Sequence, residues 1–172
     1  MLPLKTLLTA ACCSAIVSQA ATETASITMY SLDAKGTSQA LGEMYIQHNQ
    51  YGIVFKPELS GLAPGVHGFH LHSNGSCEPS EDGTPGGAAG GHYDPINIDK
   101  HGAPWGEGHL GDLPALYVSQ SGEATSAVLA PRLQLSDLDE KALIIHRGGD
   151  NYSDTPQKLG GGGKRVACGV ID

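Results

Sequence analysis

Short runs with strand chemistry recur along the chain: Ala25–Tyr30, Leu41–Gln47, Tyr51–Phe55, Val66–His72, Ala115–Ser119, Thr125–Leu129, Ala142–His146 and Val166–Ile171. Several alternate in polarity, as in Ile27-Thr28-Met29-Tyr30, the period of a strand with one face buried. Turn signals divide them, among them Ala34-Lys35-Gly36, His48-Asn49-Gln50, Ala63-Pro64-Gly65 and Ser121-Gly122-Glu123. Helical periodicity is scarce after residue 21. One short helical turn is predicted over Leu135–Lys141, with Ser136 as its cap and Asp139 facing back. The pattern predicts an all-β domain, an antiparallel sandwich or barrel of about eight short strands.

Two stretches break that rhythm. Ser73–Leu113 and Arg147–Lys164 are long, rich in glycine and polar residues, and lack a clear strand; the second ends in Gly160-Gly161-Gly162-Gly163. Loops of this length on a compact β domain usually carry function. A bound metal would supply ordering energy that such polar segments cannot obtain from core burial. No internal repeat or linker divides the chain, which predicts a single domain.

The chain has 172 residues, 24 of them glycine, with 16% charged and 40% hydrophobic residues. That fits a folded domain full of tight turns rather than a disordered chain. The formal charge of −8 argues against nucleic acid or an anionic membrane surface as partner. Residues 1–20 read as a cleaved signal peptide: Lys5, a mostly apolar Leu7–Val17, then Ser18-Gln19-Ala20 at the cleavage site. The apolar run is too short to span a bilayer comfortably. A lipid anchor at Cys12 is the weaker alternative, because Leu8 lies one place too early for a lipoprotein site. The mature domain is then 21–172, and loss of Lys5 takes its charge from −8 to −9. Only Cys77 and Cys168 remain in it. Two cysteines in an exported domain suggest one disulfide, the other reading being two separate buried thiols.

The candidate chemistry is metal binding. In Gly68-Phe69-His70-Leu71-His72, His70 and His72 share one strand face while Phe69 and Leu71 face the core. His92, His101, His109 and Asp112 follow in the long loop at spacings of nine, eight and three. Closely spaced imidazole and carboxylate ligands suit zinc. His146 closes a later apolar strand. His48 and His67 are read as a turn residue and a loop-end residue without a ligand role.

These segments resemble copper,zinc superoxide dismutases of the bacterial branch. The His70 segment is similar to the family's first copper motif, and Ala89-Gly90-Gly91-His92-Tyr93-Asp94-Pro95 to its bridging-histidine segment. Lys100-His101-Gly102 and Gly108-His109-Leu110-Gly111-Asp112-Leu113-Pro114 resemble its zinc loop. Ile145-His146-Arg147-Gly148-Gly149-Asp150-Asn151-Tyr152 and Gly163–Ile171 resemble the last copper-ligand segment and the C-terminal signature. The resemblance covers essentially the whole mature chain.

It implies an eight-stranded antiparallel Greek-key barrel or sandwich with two long functional loops. It implies copper on His70, His72, His92 and His146, and zinc on His92, His101, His109 and Asp112. Asp150 would link His70 with His101, and Cys77 would pair with Cys168. The implied reaction converts superoxide to O2 and hydrogen peroxide in the periplasm, with His92 supplying a proton and Arg165 holding the anion. A periplasmic copper or zinc binding or delivery protein is the main rival reading; a zinc hydrolase is weaker, since four ligands would fill the zinc site. A homodimer is expected, with Trp105 and Tyr51 as candidate interface anchors. Ser73–Gly91 holds no Lys or Arg but does hold Glu78, Glu81 and Asp82, so long-range steering of an anion should be weak. Gly106–Gly111 fits a dinucleotide pattern by spacing alone, without the preceding strand or following helix that it needs.

Overall fold

A computed structural model describes residues 24–172, so residues 1–20, read above as a signal peptide, and with them Cys12 and Cys13, lie outside the described residues. Ten strands form: β1 Thr24–Asp33, β2 Gly36–Asn49, β3 Gly52–Ser60, β4 Gly65–His67, β5 Phe69–His72, β6 Leu116–Val118, β7 Glu123–Ala124, β8 Val128–Ala130, β9 Lys141–His146 and β10 Arg165–Ile171. Eight of them make one antiparallel sheet, ordered β5-β9-β10-β1-β2-β3-β7 with β8 also on β3. The remaining pair, β4 and β6, completes the wall. β4 runs into β5 through Gly68, and β6 turns into β7 through Ser119–Glu123. The sheet therefore curls back on itself, as an antiparallel barrel does to remove its edges.

Strand alternation builds the interior. In β3, Ile53, Phe55, Pro57 and Leu59 are buried while Lys56, Glu58 and Ser60 are exposed. Met29, Met44, Ile46, Phe69, Leu71, Leu143 and Ile145 join them in one core, with Phe55 and Phe69 edge to face at 5.5 Å. A second, smaller cluster lies outside the barrel wall: Cys77, Ala89, Ala142, Ile144 and Cys168. β9 is buried on both faces because the 73–92 loop covers its outer side. His70 pairs with Ile144 and His72 with Ala142, so both imidazoles stand on that covered outer face while Phe69 and Leu71 point into the barrel.

Three local expectations change. The Val66–His72 run divides at Gly68, whose N–H donates to Gly148 O (2.7 Å) and whose O accepts from His146 N (2.8 Å). β4 then pairs with β6 and β5 with β9, which turns the wall through a corner. Of the Thr125–Leu129 run only Val128 and Leu129 are strand, in β8; a separate short strand, β7, precedes the run, and the two pair with different parts of β3. The helical turn is a single 3₁₀ turn, Leu135–Asp137, capped from Gln134 rather than Ser136. Asp137, not Asp139, reaches back to accept from Gln134 N at 2.8 Å, since a three-residue turn brings that closer carboxylate into range.

Cys77 and Cys168 form a disulfide across 91 residues of chain. It ties the loop over β5 and β9 to β10, two places along the sheet from β5, where the loop begins. Within the described residues no helix is long and apolar enough to cross a membrane. Replacing Cys77 and Cys168 with serine is expected to lower unfolding free energy by about 4–5 kcal/mol in the chain-entropy account. Denaturant unfolding of variant and parent, both metal-free, checks this; a loss under about 1 kcal/mol would refute a major stabilising role.

Candidate metal centre

His70 and His72 rise from the outer face of β5, and His146 ends β9 beside them. The long loop returns to β5 through a bridge between His72 and His92, which lays the His92 ring on His70 with centroids 3.9 Å apart. His70, His72, His92 and His146 each offer a nitrogen within 4.8 Å of the others, and all four are buried.

One nitrogen of each ring is anchored. His70 Nε2 donates to Asp150 Oδ2 (2.9 Å), His72 Nδ1 to Gly90 O (2.9 Å), His92 Nδ1 to Asp112 Oδ1 (2.8 Å) and His146 Nδ1 to Gly163 O (3.0 Å). A neutral imidazole that donates from one nitrogen carries its lone pair on the other. Those others, His70 Nδ1, His72 Nε2, His92 Nε2 and His146 Nε2, are buried without a protein partner. Four orphaned acceptors converging in one buried space carry a desolvation cost that a cation would offset. The donor set, all imidazole, suits copper or zinc. Burial, with mutual repulsion among the rings, keeps them neutral: His70 falls to about 3, His146 to about 4, His72 far below its ordinary value, and His92 below it as well.

A second focus is Asp112. Its Oδ1 accepts from His92 Nδ1 (2.8 Å), His101 Nδ1 (2.9 Å) and His109 Nδ1 (3.2 Å), and its Oδ2 from Gly102 N (2.8 Å). Three imidazole nitrogens and one carboxylate oxygen thus crowd a single point, a donor set that suits zinc. Asp150 spans the two foci, accepting from His70 Nε2 through Oδ2 and from His101 Nε2 through Oδ1 (2.8 Å). Burial opposes the charge on His101, but hydrogen bonds to Asp112 and Asp150 prevail and raise it to about 9. His109 is raised chiefly by Asp112. Despite burial, the imidazole donors hold Asp112 and Asp150 well below the usual carboxylate range.

Arg165 lies opposite His146 in the β9–β10 register. Its guanidinium donates to Gly86 O and to Gly90 O (2.6 Å), and Gly90 O also receives His72 Nδ1. One carbonyl therefore joins the arginine to a ring of the first focus. Burial lowers Arg165 somewhat from its ordinary value.

Several supports were not legible beforehand. Arg132 donates to Pro104 O (2.8 Å), Gly108 O (2.9 Å) and His109 O, holding the backbone that carries His109. His101 N donates to Asp154 Oδ2 (2.9 Å). His67, read as a loop-end residue, is buried with Nδ1 2.7 Å from His146 O and Nε2 2.7 Å from Ala63 O. The four-glycine run wraps the site: Gly160 has φ +69, and any Cβ there would overlap the Asp150 carboxylate. The run's composition was a signal; nothing local marked Arg132. Tyr51 and Trp105 are 65% and 71% exposed, with Trp105 packed on Tyr152 at 6.0 Å.

The comparisons agree with this geometry. The family profile for copper/zinc superoxide dismutase (SODC) matches residues 40–171. A Cu-Zn superoxide dismutase of Photobacterium leiognathi is 54% identical over 97% of both chains. Among solved structures, the Cu/Zn superoxide dismutase from Brucella abortus is similar at TM-score 0.85 and 46% identity, over 87% of this chain and 100% of that one. The monomeric copper, zinc enzyme from Salmonella enterica is similar at 0.79 and 51%, with the same coverage. A barrel of this topology, its two histidine foci and these matches together make the chain a member of the copper/zinc superoxide dismutase family.

Proposed function

We propose that this chain is an exported superoxide dismutase that binds copper through His70, His72, His92 and His146 and zinc through His92, His101, His109 and Asp112. The four converging, partnerless imidazole nitrogens carry the reading. By distance His70 also falls within 4.8 Å of His92, His101 and Asp112. Its Nε2 is committed to Asp150 and its Nδ1 belongs to the first focus, so His109 is the better fourth zinc ligand. When bound, copper supplies a one-electron Cu(II)/Cu(I) couple and zinc a fixed charge without redox chemistry. The reaction takes two superoxide anions and two protons to O2 and hydrogen peroxide.

The chain's own residues do the rest. Arg165 spends two of its five N–H donors on glycine carbonyls, and others remain to hold superoxide by a charge-assisted hydrogen bond. His92 offers Nδ1 to one focus and Nε2 to the other. His92 Nε2 is the atom at which a proton is held and then given to the peroxide product. Asp150 keeps His70 and His101 in fixed orientation, as carboxylates behind metal-binding histidines do. A delivery role suits this site poorly, because every ring is buried and anchored at its other nitrogen.

Residues 1–20 are proposed as the signal, with residues 21–172 as a single periplasmic domain. The disulfide and the bacterial relatives support that location. The exposed Tyr51 and Trp105 leave a homodimer contact open to this chain, although the similar Salmonella enzyme is monomeric.

The direct test uses protein recovered from the periplasm: it should begin at Ala21, hold copper and zinc, and remove superoxide. His92→Ala should lose activity by about 10²-fold or more and alter the Cu(II) spectrum. Unchanged copper spectra and zinc affinity in that variant would falsify the bridging assignment.

Proton linkage separates the two foci. His101 is raised to about 9, so at pH 7 the zinc focus holds a proton that zinc must displace, whereas His70 and His146 at the copper focus are already neutral. Zinc uptake by metal-free protein at pH 7 should release about one proton or more. Zinc affinity should therefore weaken as pH falls from about 9. Calorimetry in buffers of differing ionisation enthalpy reads the release; none detected would refute the protonated His101.

Arg165→Gln should lower turnover about tenfold or more, the worth of a charge-assisted hydrogen bond. Added salt should slow the parent only mildly, since the loop beside the site lacks lysine and arginine. A steep salt dependence that survives in Arg165→Gln and vanishes in Lys164→Gln would move the capture role to Lys164.

A further inference from the structure

A cavity of about 400 Å³ opens between β1, the Gly61–Gly65 turn and the start of β10. Its floor is apolar: Leu32, Leu41, Leu62 and Val166. Its rim is cationic, carrying Arg147, Lys164 and Arg165, and among the described residues no carboxylate lines it. Arg147 and Lys164 are exposed, and their side chains make no ion pair or hydrogen bond among the described residues. On a chain of formal charge −8, three cations gathered on one rim above an apolar floor are a local exception. A second cavity continues from it past Pro85, Lys164 and Arg165, and the acid Asp82 stands there.

A floor of leucine and valine offers nothing to superoxide, which has no apolar part. A bare inorganic anion would use only the rim. The combination fits a ligand with one anionic head and a short apolar body, and the volume lies in the range of small-molecule sites. We propose that this groove binds a free small amphipathic anion, a monocarboxylate with a short aliphatic chain, its head at the basic rim and its chain on the leucine floor. The inference does not rest on which residues hold which metal. Because Arg165 belongs to both the rim and the metal centre, an occupant would stand on the anion's path to the site.

The test is calorimetric titration of the copper- and zinc-loaded protein at fixed ionic strength with acetate, butyrate, hexanoate and neutral hexanol. Affinity should rise about fourfold for each methylene that reaches the floor. Hexanoate should then bind at least about tenfold tighter than acetate, and hexanol about tenfold weaker than hexanoate for want of a charged head. Ala63→Glu adds a like charge at an exposed rim position, and Arg147→Gln removes a cation. Each should weaken hexanoate about fivefold or more while leaving the unfolding midpoint and metal content unchanged. Equal affinity for hexanoate and acetate would leave only a general anion site at Arg165 and overturn the proposal. So would parent-like hexanoate binding in both variants.

Discussion

Each imidazole of the first focus gives one N–H to a fixed acceptor, and the rest of the centre follows from that. Asp150, Asp112, and the carbonyls of Gly90 and Gly163 between them select the tautomer of four rings. The free lone pairs are then forced to converge, because β5, β9 and the returning loop allow the rings no other orientation. Burial that would ordinarily penalise such acceptors becomes preorganisation for a cation. The cost falls on the metal-free protein and is relieved on loading, which couples metal affinity to folding.

The two carboxylates distribute that constraint. Asp112 gathers three imidazoles on one oxygen, while Asp150 reaches from His70 to His101 and so spans both foci. Neither acid is solvated, and neither is unpaired. A buried carboxylate is tolerated only where hydrogen-bond donors meet its oxygens and the donors are themselves held in place. That requirement accounts for the supporting cast: Arg132 on the carbonyls of Pro104, Gly108 and His109, Asp154 on His101 N, and a glycine at 160 where a side chain would displace Asp150.

The long loops are ordered by their ends rather than by a core of their own. The disulfide joins the first loop to β10, and its small apolar cluster seals the outer face of β9. Arg165 is the hinge between that loop and the metal centre, since Gly86 and Gly90 carry both its hydrogen bonds and Gly90 also holds His72. In the proposed reading, substrate capture and ligand orientation would therefore share one carbonyl. The acidic surface gives no help with an anion; what attraction exists is local.

Period-two alternation was enough to read the all-β fold, because burial on one face of a strand writes itself directly into neighbouring residues. The same rule put His70 and His72 on one face and Phe69 and Leu71 on the other, as β5 shows. The concentration of histidines in 70–109, with the family resemblance, was enough to name the chemistry and the disulfide. What lay beyond the sequence were relations among residues far apart in it. The break at Gly68 depends on Gly148 and His146, nearly eighty residues away. Nothing local marks Arg132 until the loop carrying His109 folds over it, and His67 reads as a loop end until β9 arrives beside it. The amphipathic groove joins β1, the Gly61–Gly65 turn and β10, which no local pattern connects. Local periodicity records which face of a strand is buried; only the closed barrel decides what is buried against it.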